Sequence, residues 1–221
     1  MTETRASQST EPAVPEPPVS YEEFLEWADE DVRAEWIDGH IHVMSPASDQ
    51  HQDVVEFLLA LARLLVEHHG EGWVRSSLFQ MKTDVRPSGR EPDLMYVREE
   101  HRDRITDTYL DGPADLVVEV ISSESGTRDR GEKFYEYEEA GIPEYWLVDP
   151  EREELAVYRL KEGRSPETTS SEWSGRYRTA FEGHEGRAES AVLDGFRIEA
   201  EWLWQEDLPA ILDVLDRWDL I

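Results

Sequence analysis

Glu119 is the residue whose position most needs an explanation. It interrupts Asp115–Ile121, DLVVEVI, where Leu116, Val117, Val118, Val120 and Ile121 are apolar on both faces of the alternation, the pattern of a strand covered from two sides. A carboxylate in such a strand is expected to be neutralised, paired or bound to a metal. Asp93 lies upstream in EPDLMYV, and Lys133 lies downstream in a helical pattern. Two carboxylates a few ångströms apart in a dry site cannot both stay ionised unless a cation lies between them. Oxygen donors select a hard ion, Mg2+ or Mn2+, and Mg2+ commonly takes one or two carboxylates, keeping positions for water and phosphate. Asp93 and Glu119 are therefore candidate metal ligands. With a lysine beside them, they suggest hydrolysis of a phosphodiester by metal-activated water.

The spacing predicts one helix over 127–140, on which Arg130, Lys133, Phe134 and Tyr137 share a face. Phe134 and Tyr137 mark that face as inward, so Lys133 projects toward the sheet with Glu119 as its available partner. There it would orient the attacking water or stabilise the pentavalent phosphorus, and Arg128 or Arg130 could hold a neighbouring phosphate. Structural readings stand beside these: Asp93 as the cap of a turn after Pro92, and Glu119–Lys133 as a buried ion pair. His40 and His42 alternate onto one strand face, as a zinc pair would, but no third ligand is placed. His51 reads as a capping or cleft-rim residue, and Tyr137 as core with its hydroxyl near the cleft.

The elements that must position these groups follow from pattern and punctuation. Residues 1–18, with Pro12, Pro15, Pro17 and Pro18 among Glu, Ser and Thr, have almost nothing to bury and read as a disordered acidic tail. Residues 19–221 read as a single domain. Ser20 with Glu23 caps a short helix, AEWIDGHIHVM is a hairpin about Asp38-Gly39, and 49–69 is a largely buried helix from Ser48 or Asp49 to Gly70. Trp73–Val85 and Asp93–Val97 read as two strands separated by a turn at Pro87–Gly89. The 127–140 helix is capped by Ser125 or Thr127 and ends at Gly141. PEYWLVD pairs with Glu154–Leu160, weak strand signals follow near Tyr177 and Phe181, and one or two amphipathic helices are expected over 196–219. Trp202 or Trp204 could serve a subunit contact.

The segments YEEFLEW, AEWIDGHIHVMSPAS followed by HQ, EPDLMYV, DLVVEVISSES, RDRGEKFYEYEEAGIPEYWLVDP and GFRIEAEWLW resemble the PD-(D/E)XK nuclease superfamily. They are closer to its Uma-two branch of restriction-endonuclease-like proteins, and the likeness covers most of residues 20–205. It implies an α/β fold, a restriction-endonuclease-like core with a mixed central β-sheet flanked by α-helices, and a divalent-metal endonuclease acting on DNA. The resemblance carries over Asp93 of the Pro-Asp element and Glu119 of the acidic strand position. In the superfamily pattern a lysine follows two residues after that acid, where Ile121 stands here; the branch puts it on the next helix, at Lys133. Glu35 matches the acid that the superfamily often supplies as an additional metal or water ligand. His40 occupies the place after the Asp-Gly turn where a second acid is usual. Two alternatives stay open: a degenerate member that binds nucleic acid or protein without cutting, and a metal hydrolase of a small phosphorylated molecule. Because duplex cutting needs two active sites and the chain has one, a homodimer is plausible.

Composition bounds these readings. The 221 residues contain no cysteine, which excludes disulfides and thiolate metal sites. The apolar run Val54–Val66 contains Glu56 and Arg63 and is too short to span a bilayer. With no basic start before an apolar run, a soluble cytoplasmic protein is expected. The net charge is −29, from 51 acidic against 22 basic residues, of which only Lys82, Lys133 and Lys161 are lysines. This sign is unfavourable for a nucleic-acid binder and resembles that of cytoplasmic proteins of salt-accumulating halophiles. Self-repulsion of such a chain is relieved only by screening, whose length falls to about 3 Å at 1 M salt. Raising NaCl from about 0.1 M to about 2 M should therefore raise the thermal unfolding midpoint. A midpoint that is flat or falling in a calorimetric scan would remove the halophilic reading.

Overall fold

The structure, a computed structural model, describes residues 14–28, 32–122, 128–162 and 175–221. Positions 1–13 of the expected tail and the expected caps Ser125 and Thr127 lie outside the described residues. In chain order the elements are α1 (Tyr21–Trp27), β1 (Ala34–Ile37), β2 (His40–Val43), α2 (Asp49–His69), β3 (Trp73–Ser76), β4 (Gln80–Thr83), β5 (Ser88–Arg90), β6 (Leu94–Val97), β7 (Tyr109–Asp111) and β8 (Leu116–Val120). A π-helical turn (Arg128–Lys133) then leads into α3 (Phe134–Ala140). The remainder is β9 (Glu144–Asp149), β10 (Glu154–Glu162), β11 (Gly175–Gly183), β12 (Arg187–Glu189), β13 (Arg197–Glu199) and α4 (Ile211–Arg217).

A six-stranded sheet in the order β11-β10-β9-β8-β6-β3 forms the centre. It is mixed: β8 and β9 run parallel and the other neighbours antiparallel. The turn and α3 make the crossover that a parallel pair requires. Alternation along β8 explains why its sequence, Glu119 apart, is apolar on both faces. Leu116, Val118 and Val120 pack with Leu58, Leu61 and Leu65 of α2 and with Val214 of α4. Val117 and Ile121 pack on the opposite face with Tyr137 of α3, Tyr145 and Leu147. Glu119 shares the parity of this second face. The fold is thus α/β, a mixed sheet flanked by helices, consistent with the core that the sequence resemblance implies. Among the described residues, no helix is long and apolar enough to cross a membrane.

A second sheet, β2-β1-β5-β4-β7, buries Ala34 and Trp36 against Tyr21 and Phe24 of α1. The parity of β1 then turns Glu35 to the other side, toward α3. Local signals hold where the chemistry is local. Asp38 and Gly39 both have positive φ, as a two-residue hairpin turn requires. Ser20 and Glu23 form a reciprocal capping box, and Ser48 and Gly70 close the ends of α2.

Several expectations are corrected. Trp73–Val85 is two strands in different sheets, because Leu78 turns the chain with φ 75°; the turn expected at Pro87–Gly89 falls at 84–87 and runs into β5 at Ser88. The single helix over 127–140 begins as a π turn, which shifts the phase of its first residues. Over 196–219 only Ile211–Arg217 is α-helical, and Trp202 is buried in the core rather than exposed. Gly89 marks the tightest point between α1 and the second sheet: a Cβ there would meet the Tyr21 ring and come within 2.6 Å of Gln80 Oε1. Gly89→Ala should cost about 1–3 kcal/mol through overpacking, read as a lower guanidinium midpoint at unchanged slope. An unchanged midpoint would show that α1 is free to shift.

Candidate active site

Glu91-Pro92-Asp93 is the corner at which the chain leaves β5 in one sheet and enters β6 in the other. Proline cannot donate to a ladder, which suits a residue between two strands. Leu94 pairs with Val118, so Asp93, one residue earlier, stands opposite Glu119. There β6 has ended, and the Asp93 side chain takes over its pairing: Oδ2 accepts the Val120 N–H at 2.8 Å. His51, in the first turn of α2, approaches the same oxygen, with Nε2 at 3.4 Å.

Lys133 joins the sheets from the last residue of the π turn. Its ammonium lies 2.9 Å from Glu119 Oε1 and 3.2 Å from Glu35 Oε1. Tyr137, one helical turn on, donates its hydroxyl to Glu119 Oε1 at 2.7 Å. Glu35 Oε2 in turn accepts from Arg90 Nη1 at 3.0 Å. This follows from the register, since Trp36 pairs with Gly89 and Glu35 is then opposite Arg90. Arg90 also grips Glu136 of α3, with Nη2 to Oε2 at 2.5 Å and Nε 3.1 Å from the same oxygen. The Ser88 hydroxyl adds a short hydrogen bond to Glu136. Glu35 and Arg90 are fully buried, and Glu119, Lys133 and Glu136 nearly so.

Of the residues singled out from sequence, the structure brings Glu35, Glu119 and Lys133 into direct contact, with Asp93 across the ladder from Glu119. Arg130 is placed elsewhere, 2.7 Å from Asp149 Oδ2 and 3.0 Å from Glu154 Oε2. The side chain of Arg128 lies outside the described residues. His40 bonds the Asp38 carbonyl through Nδ1 on the exposed hairpin. Among the described residues, no group of three or more His, Asp or Glu is arranged to hold a metal ion. Sequence reasoning missed Arg90 and Glu136. Glu136 was findable: it lies three residues after Lys133 on the inward side of a helix, where a carboxylate demands a cation.

The electrostatics follow from this alternation. Burial alone would push the Glu35 carboxyl up, but the charges of Lys133 and Arg90, with their hydrogen bonds, overcome it and hold the group at about 2. Burial raises the Tyr137 hydroxyl well above its usual range, and the neighbouring Glu119 adds to this, so Tyr137 acts as a proton donor to Glu119. Desolvation opposes the charge on Arg90, yet Glu136 and Glu35 reverse it and fix the guanidinium as a cation.

Because the Glu35 pKa is depressed on folding, its contribution is complete above its ordinary value of 4.5 and is lost as pH falls toward about 2. The shift corresponds to about 3 kcal/mol. Glu35→Gln should therefore be destabilised at pH 7 by about 3–5 kcal/mol, as for one partner removed from a buried ion pair. The gap from wild type should narrow between pH 4.5 and 2 in EDTA-treated protein, followed by urea unfolding. A gap independent of pH would mean that Glu35 is not ionised.

Comparison with known proteins bears on both the family and the fold. The sequence profile of the Uma2 family, described as "Putative restriction endonuclease", matches residues 21–189. An uncharacterised protein of Synechocystis sp. is 29% identical over 151 residues, 66% of this chain and 77% of that protein. The crystal structure of a protein from Anabaena variabilis, titled a putative nuclease belonging to DUF820, superposes with a TM-score of 0.66 at 14% identity, covering 85% of this chain and 98% of that one. At that identity the likeness speaks for the fold, which is the one described above. The chain belongs to the Uma2 family of restriction-endonuclease-like proteins.

Proposed function

We propose that this chain is an endonuclease that hydrolyses DNA phosphodiesters with Mg2+ or Mn2+. The observation that carries the proposal is the convergence of Lys133, Glu119 and Glu35 at the seam between two sheets, with Asp93 opposite Glu119. Glu119, Glu35 and Glu136 meet the cations Lys133 and Arg90, and the Asp93 carboxylate stands across the ladder from Glu119. Mg2+ needs only one or two carboxylates beside water and substrate oxygens, so Asp93 and Glu119 suit it as donors, with Glu35 as an additional ligand to the ion or its water. When bound, the ion supplies an activated water and Lewis acidity toward phosphate.

The chain's own residues do the rest. Lys133, placed between the Glu119 and Glu35 carboxylates, orients the attacking water and offsets charge that develops on the phosphorus oxygens. Tyr137 fixes the Glu119 carboxylate through its hydroxyl, and Arg90 fixes Glu35. Arg128 or Arg130 would hold a neighbouring phosphate, Arg130 only after release from Asp149 and Glu154. Two observations favour a second reading, a non-cutting member that binds nucleic acid or protein: Lys133 is engaged by two carboxylates, and no three-ligand cluster occurs among the described residues.

One experiment separates the two. With Mn2+ or Mg2+ the purified protein should nick or linearise plasmid DNA across a salt series, because phosphate contacts weaken as salt rises. Asp93→Asn, Glu119→Gln and Lys133→Met, each checked for folding by circular dichroism, should lose about two to three orders of magnitude in rate. Calorimetry should show Mn2+ binding that disappears in Asp93→Asn. Cutting that survives in folded forms of all three variants would sink the assignment. Absence of both cutting and Mn2+ binding in the wild type would select the second reading.

A further inference from the structure

The Asp93 carboxylate is approached from two sides. The Val120 N–H holds Oδ2 from within the sheet, and His51 Nε2 of α2 lies 3.4 Å from the same oxygen, an ion-pair distance without hydrogen-bond geometry. Asp93 Oδ1 has no hydrogen bond or ion pair among the described residues. His51 is 7% exposed, and its backbone N–H donates to the capping Ser48 hydroxyl at 3.2 Å. Its ring is therefore carried by a fixed helix start. Ring Nδ1 is buried and makes no hydrogen bond. An orphaned buried polar atom costs about 1–3 kcal/mol, so an apolar side chain would fill this place at less cost. Packing does not account for a histidine here, whereas the carboxylate in front of Nε2 does.

We propose that His51 is a positioning residue for Asp93. With its N–H on Nε2 it restrains Oδ2, so that Oδ1 is presented to the divalent ion. The inference rests on the metal-site reading above and adds a residue to it. At 3.4 Å the contact is long for a hydrogen bond, and formation of the substrate complex can tighten such a contact. Partners that orient a ligating carboxylate typically contribute 10- to 100-fold in metal affinity.

Two readouts test this in the full chain: Mn2+ titration calorimetry, and the Nε2–H resonance of 15N-histidine-labelled protein. His51→Leu keeps the bulk and removes the donor, and should weaken Mn2+ binding by about 10- to 100-fold with little change in thermal midpoint. His51→Gln places an amide N–H near the position of Nε2 and should recover most of that loss; it also serves if the leucine variant fails to fold. In the wild type the His51 Nε2–H resonance should shift on Asp93→Asn. Wild-type Mn2+ affinity in His51→Leu, or glutamine that rescues no better than leucine, overturns the proposal. If the wild type binds no Mn2+, the metal-site reading fails by itself, and the resonance decides the rest. A shift in Asp93→Asn upholds His51 as the restraint on Asp93, and no shift overturns it.

Discussion

Five buried groups in alternating sign, Glu136–Arg90–Glu35–Lys133–Glu119, form the interaction on which the rest of this structure depends. Each member comes from a different piece of chain: α3, β5, β1, the π turn and β8. Taken singly, any of these charges would cost several kcal/mol to remove from water. Alternation makes the burial tolerable, because each interior member has an opposite charge on both sides. It also makes the chain of charges cooperative: deleting one interior member leaves two neighbours under-compensated in a dry environment. Lys133 bonds Glu119 of the central sheet and Glu35 of the second, so the relative placement of the two sheets is tied to the ionisation of these groups.

That constraint explains the irregular start of α3. Lys133 must reach Glu119 and Glu35 at once, while Glu136, three residues later, must meet Arg90. The π turn over Arg128–Lys133 resets the helical phase just ahead of the two contacts. The consequence is visible at Arg130, which leaves the face predicted by α-helical spacing and pairs with Asp149 and Glu154 at the end of the central sheet. Local helical geometry has yielded to the requirement that buried charges be paired.

What could be read in the sequence, and what could not, follows the range of the forces involved. The strand around Glu119, the Asp38-Gly39 turn and the caps Ser20, Ser48 and Gly70 depend on neighbours within a few residues, and they were legible. So was the mixed α/β sheet, from the order of its elements and its apolar runs. The division of Trp73–Val85 was not, because Leu78 adopts a backbone conformation that leucine rarely takes. Arg90 was invisible for a different reason: its partners Glu35 and Glu136 are 55 and 46 residues away. Only the register of β1 with β5 and the docking of α3 bring them together. Nothing in the short hairpin pattern around Glu35 marks it as buried, and its complete burial is a product of that same docking.

The displaced lysine can be understood in the same terms. The strand position two residues after Glu119 holds Ile121, which is buried with Met95, Leu147 and Tyr145, and there an ammonium would have no exit from the apolar face. Supplying the cation from the helix leaves that face apolar, but the position of the ammonium then depends on where α3 sits. An aromatic cluster fixes this. Tyr137 meets Tyr145 edge-on at 5.3 Å, and Phe134 packs edge-on against Tyr158 and Tyr177 at 4.9 and 5.3 Å. Such contacts add about 0.5–1.5 kcal/mol each beyond area burial and are directional, so they set the helix in rotation as well as in distance. Glu138, on the same helix, accepts the Tyr177 N–H at 2.6 Å and ties α3 to β11 as well. The lysine's reach to Glu119 is therefore held by packing on β9, β10 and β11, a long way in sequence from the strand whose carboxylate it serves.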